Sequence, residues 1–274
     1  MSKPELIGAR RLRTLFEDHG FVPWQRWGQN FVIDPNTIRK TVDVSGVGSG
    51  DHVLEIGAGA GSLTLELAAR ARRVTAIEVD MRLAPILDET VGALPNVDVV
   101  FDDALAADLT GVETNRMVGN LPYNIAATVV LRVLESAPRI TDLTVMTQRE
   151  VGERLGAEAG TRAYGLTSVL VAYWGRAWVA ARVARTAFFP VPNVDSVLVR
   201  IERRPPPDVD RERLLTVLRA AFSQRRKTLR NALATTAGSV HASEAALRAA
   251  GLDPAARAET IDLAGFVALA RNLS

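Results

Sequence analysis

Cysteine does not occur anywhere in this 274-residue chain. That excludes disulfides, thiolate metal sites and any mechanism that needs a cysteine nucleophile. Histidine is nearly as scarce. His19, His52 and His241 are far apart and none falls in a metal-ligand spacing, so no metal is expected. No apolar run approaches the roughly 18–20 residues that a membrane span needs. The first residues, MSKPELIGARRLRTLF, place Glu5, Arg10, Arg11 and Arg13 where a secretion signal would be apolar. A cytoplasmic protein with no membrane association is therefore expected. Lysine is rare too, because 30 of the 33 basic residues are arginine. A GC-rich genome accounts for that overall bias. Partner choice depends instead on where the arginines cluster.

What is present is a globular composition, 47 % hydrophobic and 23 % charged, in a chain long enough to bury a full core. The pattern predicts a helix from about Glu5 to His19, stopped by Gly20. Asp34-Pro35 reads as an N-cap followed by proline at the first helical position. From residue 51, strand patterns at 52–56, 73–79, 97–101, 115–118 and 143–147 alternate with helical ones at about 62–71, 81–91, 125–135 and 149–155. Such alternation implies βαβ units and a doubly wound, mostly parallel α/β sheet. A helix at about 166–173 precedes two more strands, 177–183 and 196–201, joined by a loop alone as an antiparallel edge would be. Pro205-Pro206-Pro207 then marks a break, beyond which the pattern is helical at about 211–223, 243–250 and 263–272. The expected organisation is a sheet domain over 1–204 and a small helical domain over 205–274.

The first chemical signal is EIGAGAG, with Glu55, Gly57, Gly59 and Gly61 between a strand and a helix. Glycines in such a turn let the backbone approach a ligand lying at the helix N-terminus. A dinucleotide fingerprint would need its third glycine at position 62, which is Ser62, and no Gly-Lys-Ser/Thr follows to make a phosphate loop. The next strand ends in Glu78, whose carboxylate can accept hydrogen bonds from vicinal ribose hydroxyls. The one after is followed by Asp102-Asp103-Ala104, where a side chain can reach an adenine amino group. Three successive strand ends thus carry ligand-binding groups at the edge where such sheets bind. The constellation resembles the class I S-adenosylmethionine-dependent methyltransferases, whose first motif is an acidic-x-Gly-x-Gly-x-Gly turn. That resemblance implies a Rossmann-like fold with Gly57 and Gly59 beside the cofactor, Glu78 on its ribose and Asp103 on its adenine. A nicotinamide dehydrogenase is the weaker reading.

The fourth strand delivers Asn120-Leu121-Pro122-Tyr123 to the same edge. An exocyclic adenine N6 is a poor nucleophile because its lone pair is delocalised into the ring. An amide oxygen and a backbone carbonyl can accept its two N–H bonds and favour a pyramidal nitrogen. Proline restricts the turn and holds the residue before it extended, which aims the Leu121 carbonyl. Tyr123 offers a stacking face, as enzymes acting on extruded bases use. The tetrapeptide resembles the fourth motif of the rRNA adenine N6-dimethyltransferases. GQNFV at 28–32, QREVGERL at 148–155, AFFPVPNVDS at 187–196 and AFSQRRKTLRNAL at 221–233 resemble the same family. The last of these is closer to the KsgA branch, which acts on small-subunit rRNA, than to the Erm resistance methylases.

By that resemblance Asn30 and Val32 touch the cofactor, and Asn120 both holds the target N6 and lies against the methyl donor as a cofactor-binding residue. Tyr123 stacks on the base and Phe188 stacks on it from the opposite face. The implied substrate is two adjacent adenosines in the 3′-terminal hairpin loop of 16S rRNA, dimethylated on a monomeric enzyme's immature 30S partner. Arg225, Arg226, Lys227 and Arg230 are the expected rRNA contacts, with Arg10, Arg11 and Arg13 as a second basic group. Two departures stand out: Val32 replaces the usual leucine, and Trp24 and Trp27 flank Arg26 where relatives are lysine-rich. An Erm-like activity on 23S rRNA and an assembly factor whose binding outweighs catalysis are the alternatives.

Overall fold

The computed structural model describes residues 5–24, 28–111, 113–224 and 226–273. It divides into two units, Met1–Gly152 with Trp178–Arg203, and Glu153–Ala177 with Arg204–Ser274. One boundary between the units falls between Arg203 and Arg204, beside the proline run. Residues 153–174 do not belong with the sheet, however. Tyr164, Val169 and Tyr173 share an apolar core with Leu214, Leu218 and Phe266, so their burial ties that segment to the helical unit.

In the first unit, α1 (Ala9–Asp18) ends just before Gly20 at φ +60°, and α2 (Pro35–Ser45) begins on Asp34. The Asp34 carboxylate accepts hydrogen bonds from the N–H groups of Asn36 and Thr37, which satisfies orphan donors of the first turn. Strands β2 (His52–Ile56), β3 (Arg73–Glu78), β4 (Val97–Phe101), β5 (Arg116–Asn120) and β6 (Asp142–Gln148) run parallel. Between them lie α3 (Ser62–Ala68), α4 (Ala84–Val91) and α5 (Ala126–Ser136), and α6 (Arg149–Leu155) follows β6 directly. All residues of β2 are buried, as in the middle of a sheet covered on both faces. Strand β9 (Ser196–Arg203) pairs antiparallel with β6, Leu143 lying opposite Ile201. Strand β7 (Gly175–Val183) closes the order β4-β3-β2-β5-β6-β9-β7.

A second, two-stranded sheet has no counterpart in the sequence pattern. Strand β1 (Phe31–Val32) pairs antiparallel with β8 (Phe188–Phe189), and the Ile33 N–H donates to the Ala187 carbonyl at 2.8 Å. The rings of Phe16 and Phe31 meet edge to face at 5.0 Å, so α1 packs behind this small ladder.

In the second unit, α7 (Leu166–Trp174) packs with α8 (Arg211–Phe222), α10 (Val240–Ala249) and α11 (Leu263–Asn272). A single helical turn, α9 (Leu229–Ala232), lies between α8 and α10. Among the described residues no helix is long and apolar enough to cross a membrane.

Candidate active site

Every expected group at the carboxyl edge of the parallel strands comes from a strand end or the turn after it. The glycine turn leaves β2 and folds back on β3, the Gly57 N–H donating to the Ile77 carbonyl at 2.8 Å. Gly57, Gly59 and Gly61 have φ of +83°, +58° and +85°, a conformation that side chains strain. This geometry lets the main chain itself form one wall of a cleft. Glu78, at the end of β3, is buried and accepts three backbone hydrogen bonds. One comes from Gly59 at 2.8 Å, the others from Val79 and Asp80 at 3.0 Å each. A carboxylate has about four lone-pair sites, so one remains for a ligand. Burial raises its pKa, while these donors pull it back. Asp103 lines the cleft as well, with one oxygen held by the Leu105 N–H at 2.8 Å.

The opposite wall is Asn120 to Tyr123 from the end of β5, together with Gly28 to Phe31. The space between, counted out to its open mouth and including solvent there, is about 760 Å³. Asn120 Nδ2 donates to the Asn30 carbonyl at 2.8 Å, and its Oδ1 accepts from no described residue. The Leu121 N–H donates to the Met146 carbonyl, and the Pro122 carbonyl accepts from Ile125 and Ala126. The Leu121 carbonyl accepts from no described residue. Two oxygens unengaged among the described residues, one side-chain and one main-chain, therefore belong to residues adjacent in sequence. Tyr123 bonds Ser196 at 2.8 Å through its hydroxyl, which fixes the ring on the rim.

The sequence-predicted residues do not all gather here. Asn30, Gly57, Gly59, Glu78, Asp103, Asn120, Leu121, Pro122 and Tyr123 line the cleft. Val32 does not: its side chain is buried in the core and its backbone pairs with Phe188, while Phe31 takes the lining position. Phe188 requires correction as well. It is 0 % exposed, so no ring face is open to a base. Arg225, Arg26 and Trp27 lie outside the described residues. Arg226 and Lys227 are exposed but lie in the turn between α8 and α9, not on a helix. Arg230, in α9, lies 4.0 Å from Glu244. Sequence reasoning passed over Gln29, Asp80 and Ser196, although Gln29 stands inside GQNFV and Asp80 two residues after Glu78.

Glu55, the acidic residue of the glycine motif, faces away from solvent and is wholly buried. Neither of its oxygens has a full hydrogen bond among the described residues, although the Thr64 hydroxyl lies close enough to favour the charged form. Burial dominates, and with the nearby Glu78 charge it pushes the carboxyl up to about 8. The folded chain thus holds a proton that the unfolded chain releases above 4.5. This stabilising contribution is complete at low pH and is lost as pH rises through about 8. Glu55→Gln is expected to match wild type in denaturant melts near pH 5 and to exceed its midpoint near pH 9. A lower midpoint than wild type at the alkaline end would remove this account of Glu55.

Comparison with known proteins settles the family. The model of the ribosomal RNA adenine dimethylases matches residues 24–273. The chain belongs to that family. Ribosomal RNA small subunit methyltransferase A of Leifsonia xyli subsp. xyli is 46 % identical, over 98 % of this chain and 99 % of that protein. The protein of the same name from Thermobifida fusca is also 46 % identical, over 97 % and 96 % of the two chains. Among solved structures, the 23S rRNA methyltransferase ErmE is 31 % identical with a TM-score of 0.71, covering 89 % of this chain and 99 % of its own. A dimethyladenosine transferase from Plasmodium falciparum shares the fold at a TM-score of 0.73 and 24 % identity, covering 87 % and 95 %. The adenine dimethylase chain is thus a Rossmann-like class I methyltransferase sheet with a small helical unit.

Proposed function

We propose that this chain transfers two methyl groups to N6 of each of two adjacent adenosines in the 3′-terminal hairpin loop of 16S rRNA. Its donor would be S-adenosylmethionine and its partner the immature 30S subunit, met in the cytoplasm by a monomeric enzyme. The observation that carries the reading is the pair of unengaged acceptors, Asn120 Oδ1 and the Leu121 carbonyl. Two acceptors match the two N–H bonds of an adenine amino group.

The residues present fit the donor. Gly57 and Gly59 leave bare backbone beside it, and the buried Glu78 carboxylate retains a site for ribose hydroxyls. Asp103 has an oxygen for the adenine amino group. When bound, S-adenosylmethionine supplies an electrophilic methyl group. Asn120 and Leu121 orient the target amine and withdraw its lone pair from conjugation. Tyr123 supports the extruded base, and burial raises its phenol pKa so that the ring stays neutral. After one methylation a single N–H remains to be held, so the same residues serve the second transfer.

The name shared by relatives that match nearly the whole chain favours a small-subunit substrate over the large-subunit substrate of ErmE. Incubation of undermethylated small subunits with labelled S-adenosylmethionine is expected to yield N6,N6-dimethyladenosine at two adjacent positions. No label in the small subunits, with label entering large-subunit rRNA supplied in a parallel incubation, would overturn the reading.

The helical unit is proposed to contact rRNA through Arg226, Lys227 and Arg230. Arg226 and Lys227 are exposed, and neither has an ion-pair partner among the described residues. Replacing both by alanine is expected to weaken subunit binding and lower the salt slope of log Kd by about 2. Cofactor affinity should stay unchanged. An unaltered slope would place the RNA contact elsewhere.

A further inference from the structure

The amide of Asn120 is aimed by the Asn30 carbonyl, and Asn30 belongs to no long element that would hold it. Among the described residues its Nδ2 donates locally, to the Gly28 carbonyl at 3.0 Å. The residue between them makes the distant contact. Gln29 Nε2 donates to Asp80 Oδ2 at 2.8 Å, and Gln29 Oε1 accepts from the Trp24 N–H at 2.8 Å. Asp80 is 2 % exposed and itself fixed from two directions. Its N–H donates to Glu78 Oε1 at 3.0 Å, and its carboxylate receives Arg82 Nε at 2.9 Å. The Arg82 guanidinium stacks 3.6 Å over the Trp24 ring, which closes the arrangement.

We infer that Asp80 is a positioning residue for methyl transfer: through Gln29 it holds Gly28–Asn30 so that the Asn30 carbonyl orients the Asn120 amide. The inference rests on the proposed function for its consequence in rate, while the hydrogen-bonded path stands on the structure alone. Asp80 touches no part of the cleft that an adenine amine would occupy. It links the turn carrying Glu78, on the cofactor side, to the acceptor on the target side. Without that link the Asn120 amide could rotate and present Nδ2, a donor, to an amine that also donates.

The test reverses the polarity of one hydrogen bond. In Gln29→Glu two carboxylates face each other, and in Asp80→Asn the acceptor loses its charge. In the double variant the amide introduced at position 80 can donate to the carboxylate introduced at position 29, which still accepts from the Trp24 N–H. Each single variant is expected to lower kcat on undermethylated small subunits by about 10–100-fold, the scale of an ångström-level misplacement. S-adenosylmethionine Kd and small-subunit KM should move far less. The double variant should recover part of the loss, because Asp80 Oδ2 also accepts from Arg82 Nη2 and an amide there does not. A double better than either single is a coupling that independent damage would not show. The Asn120 side-chain amide, bonded to the Asn30 carbonyl, is expected to give an exchange-protected resonance in wild type, to lose that protection in the singles and to regain it in the double.

Wild-type rates in the singles, or a double no better than the worse single, would overturn the inference. So would a kcat loss with the Asn120 resonance unchanged. If wild type fails to methylate the subunit while the resonance follows the expected pattern, the proposed function falls and the positioning path stands.

Discussion

Asn120→Ala is expected to lower the rate of adenine methylation by about 10²–10³-fold, the cost of removing one preorganised group from a charge-stabilising pair. The loss should fall on kcat. S-adenosylmethionine affinity should stay within several-fold of wild type, because the glycine turn and Glu78 are untouched. Alanine also frees the Asn30 carbonyl that now accepts from Nδ2 at 2.8 Å. The Leu121 carbonyl remains and can still hold one N–H, so activity should be reduced and not abolished. The check is single-turnover transfer of labelled methyl to undermethylated subunits with cofactor and enzyme in excess. A rate near wild type would sink the role of the amide, whatever the family.

The second large effect concerns the cofactor side. Glu78→Ala is expected to weaken S-adenosylmethionine binding by about 10–100-fold, the range of one hydrogen bond to a charged group. Alanine would also leave the Gly59, Val79 and Asp80 N–H groups without their shared acceptor. Lower stability should therefore accompany the loss, since buried unpaired donors cost about 1–3 kcal/mol. The carboxylate must be ionised to accept at all four sites, and burial raises its pKa. Wild-type affinity should accordingly fall as pH drops through the acid range, and in Glu78→Ala that dependence should flatten. Calorimetric titration across pH reads both effects. Unchanged affinity in the variant would reassign the ribose to another group.

The parts of the molecule readable from sequence are those written in local chemistry. Asp34-Pro35 named a helix start because cap and proline act over three residues, and the strand ends carrying Glu78, Asp103 and Asn120 followed from apolar runs stopping. Strand β1 was unreadable, because two residues carry no period and their partner is far along the chain. The link from Gln29 to Asp80 was hidden for the same reason: nothing near either residue marks the other. Phe188 shows a different limit. A Phe-x-Pro-x-Pro segment specifies an aromatic at a bend, but which face it turns is decided by the core it meets, here Val32 across a short ladder. In the basic run, Thr228 opens a new helical turn, so the charges before it lie in a turn. Residues 153–174 read as a continuation of the sheet domain because their helices have ordinary patterns. Only the shared core of Tyr164 and Phe266 shows where they belong.

The ladder of Phe31–Val32 with Phe188–Phe189 also sets an order of events during synthesis. The segment bearing Asn30 is made early, but its strand partner leaves the ribosome only after the whole parallel sheet has been translated. Until then the wall that aims Asn120 has no ladder to rest on. A nascent chain could fold its glycine turn and Glu78 well before it could hold a target adenine. An enzyme proposed to inspect unfinished ribosomes would then be unable to act on one until its own sheet had nearly finished emerging.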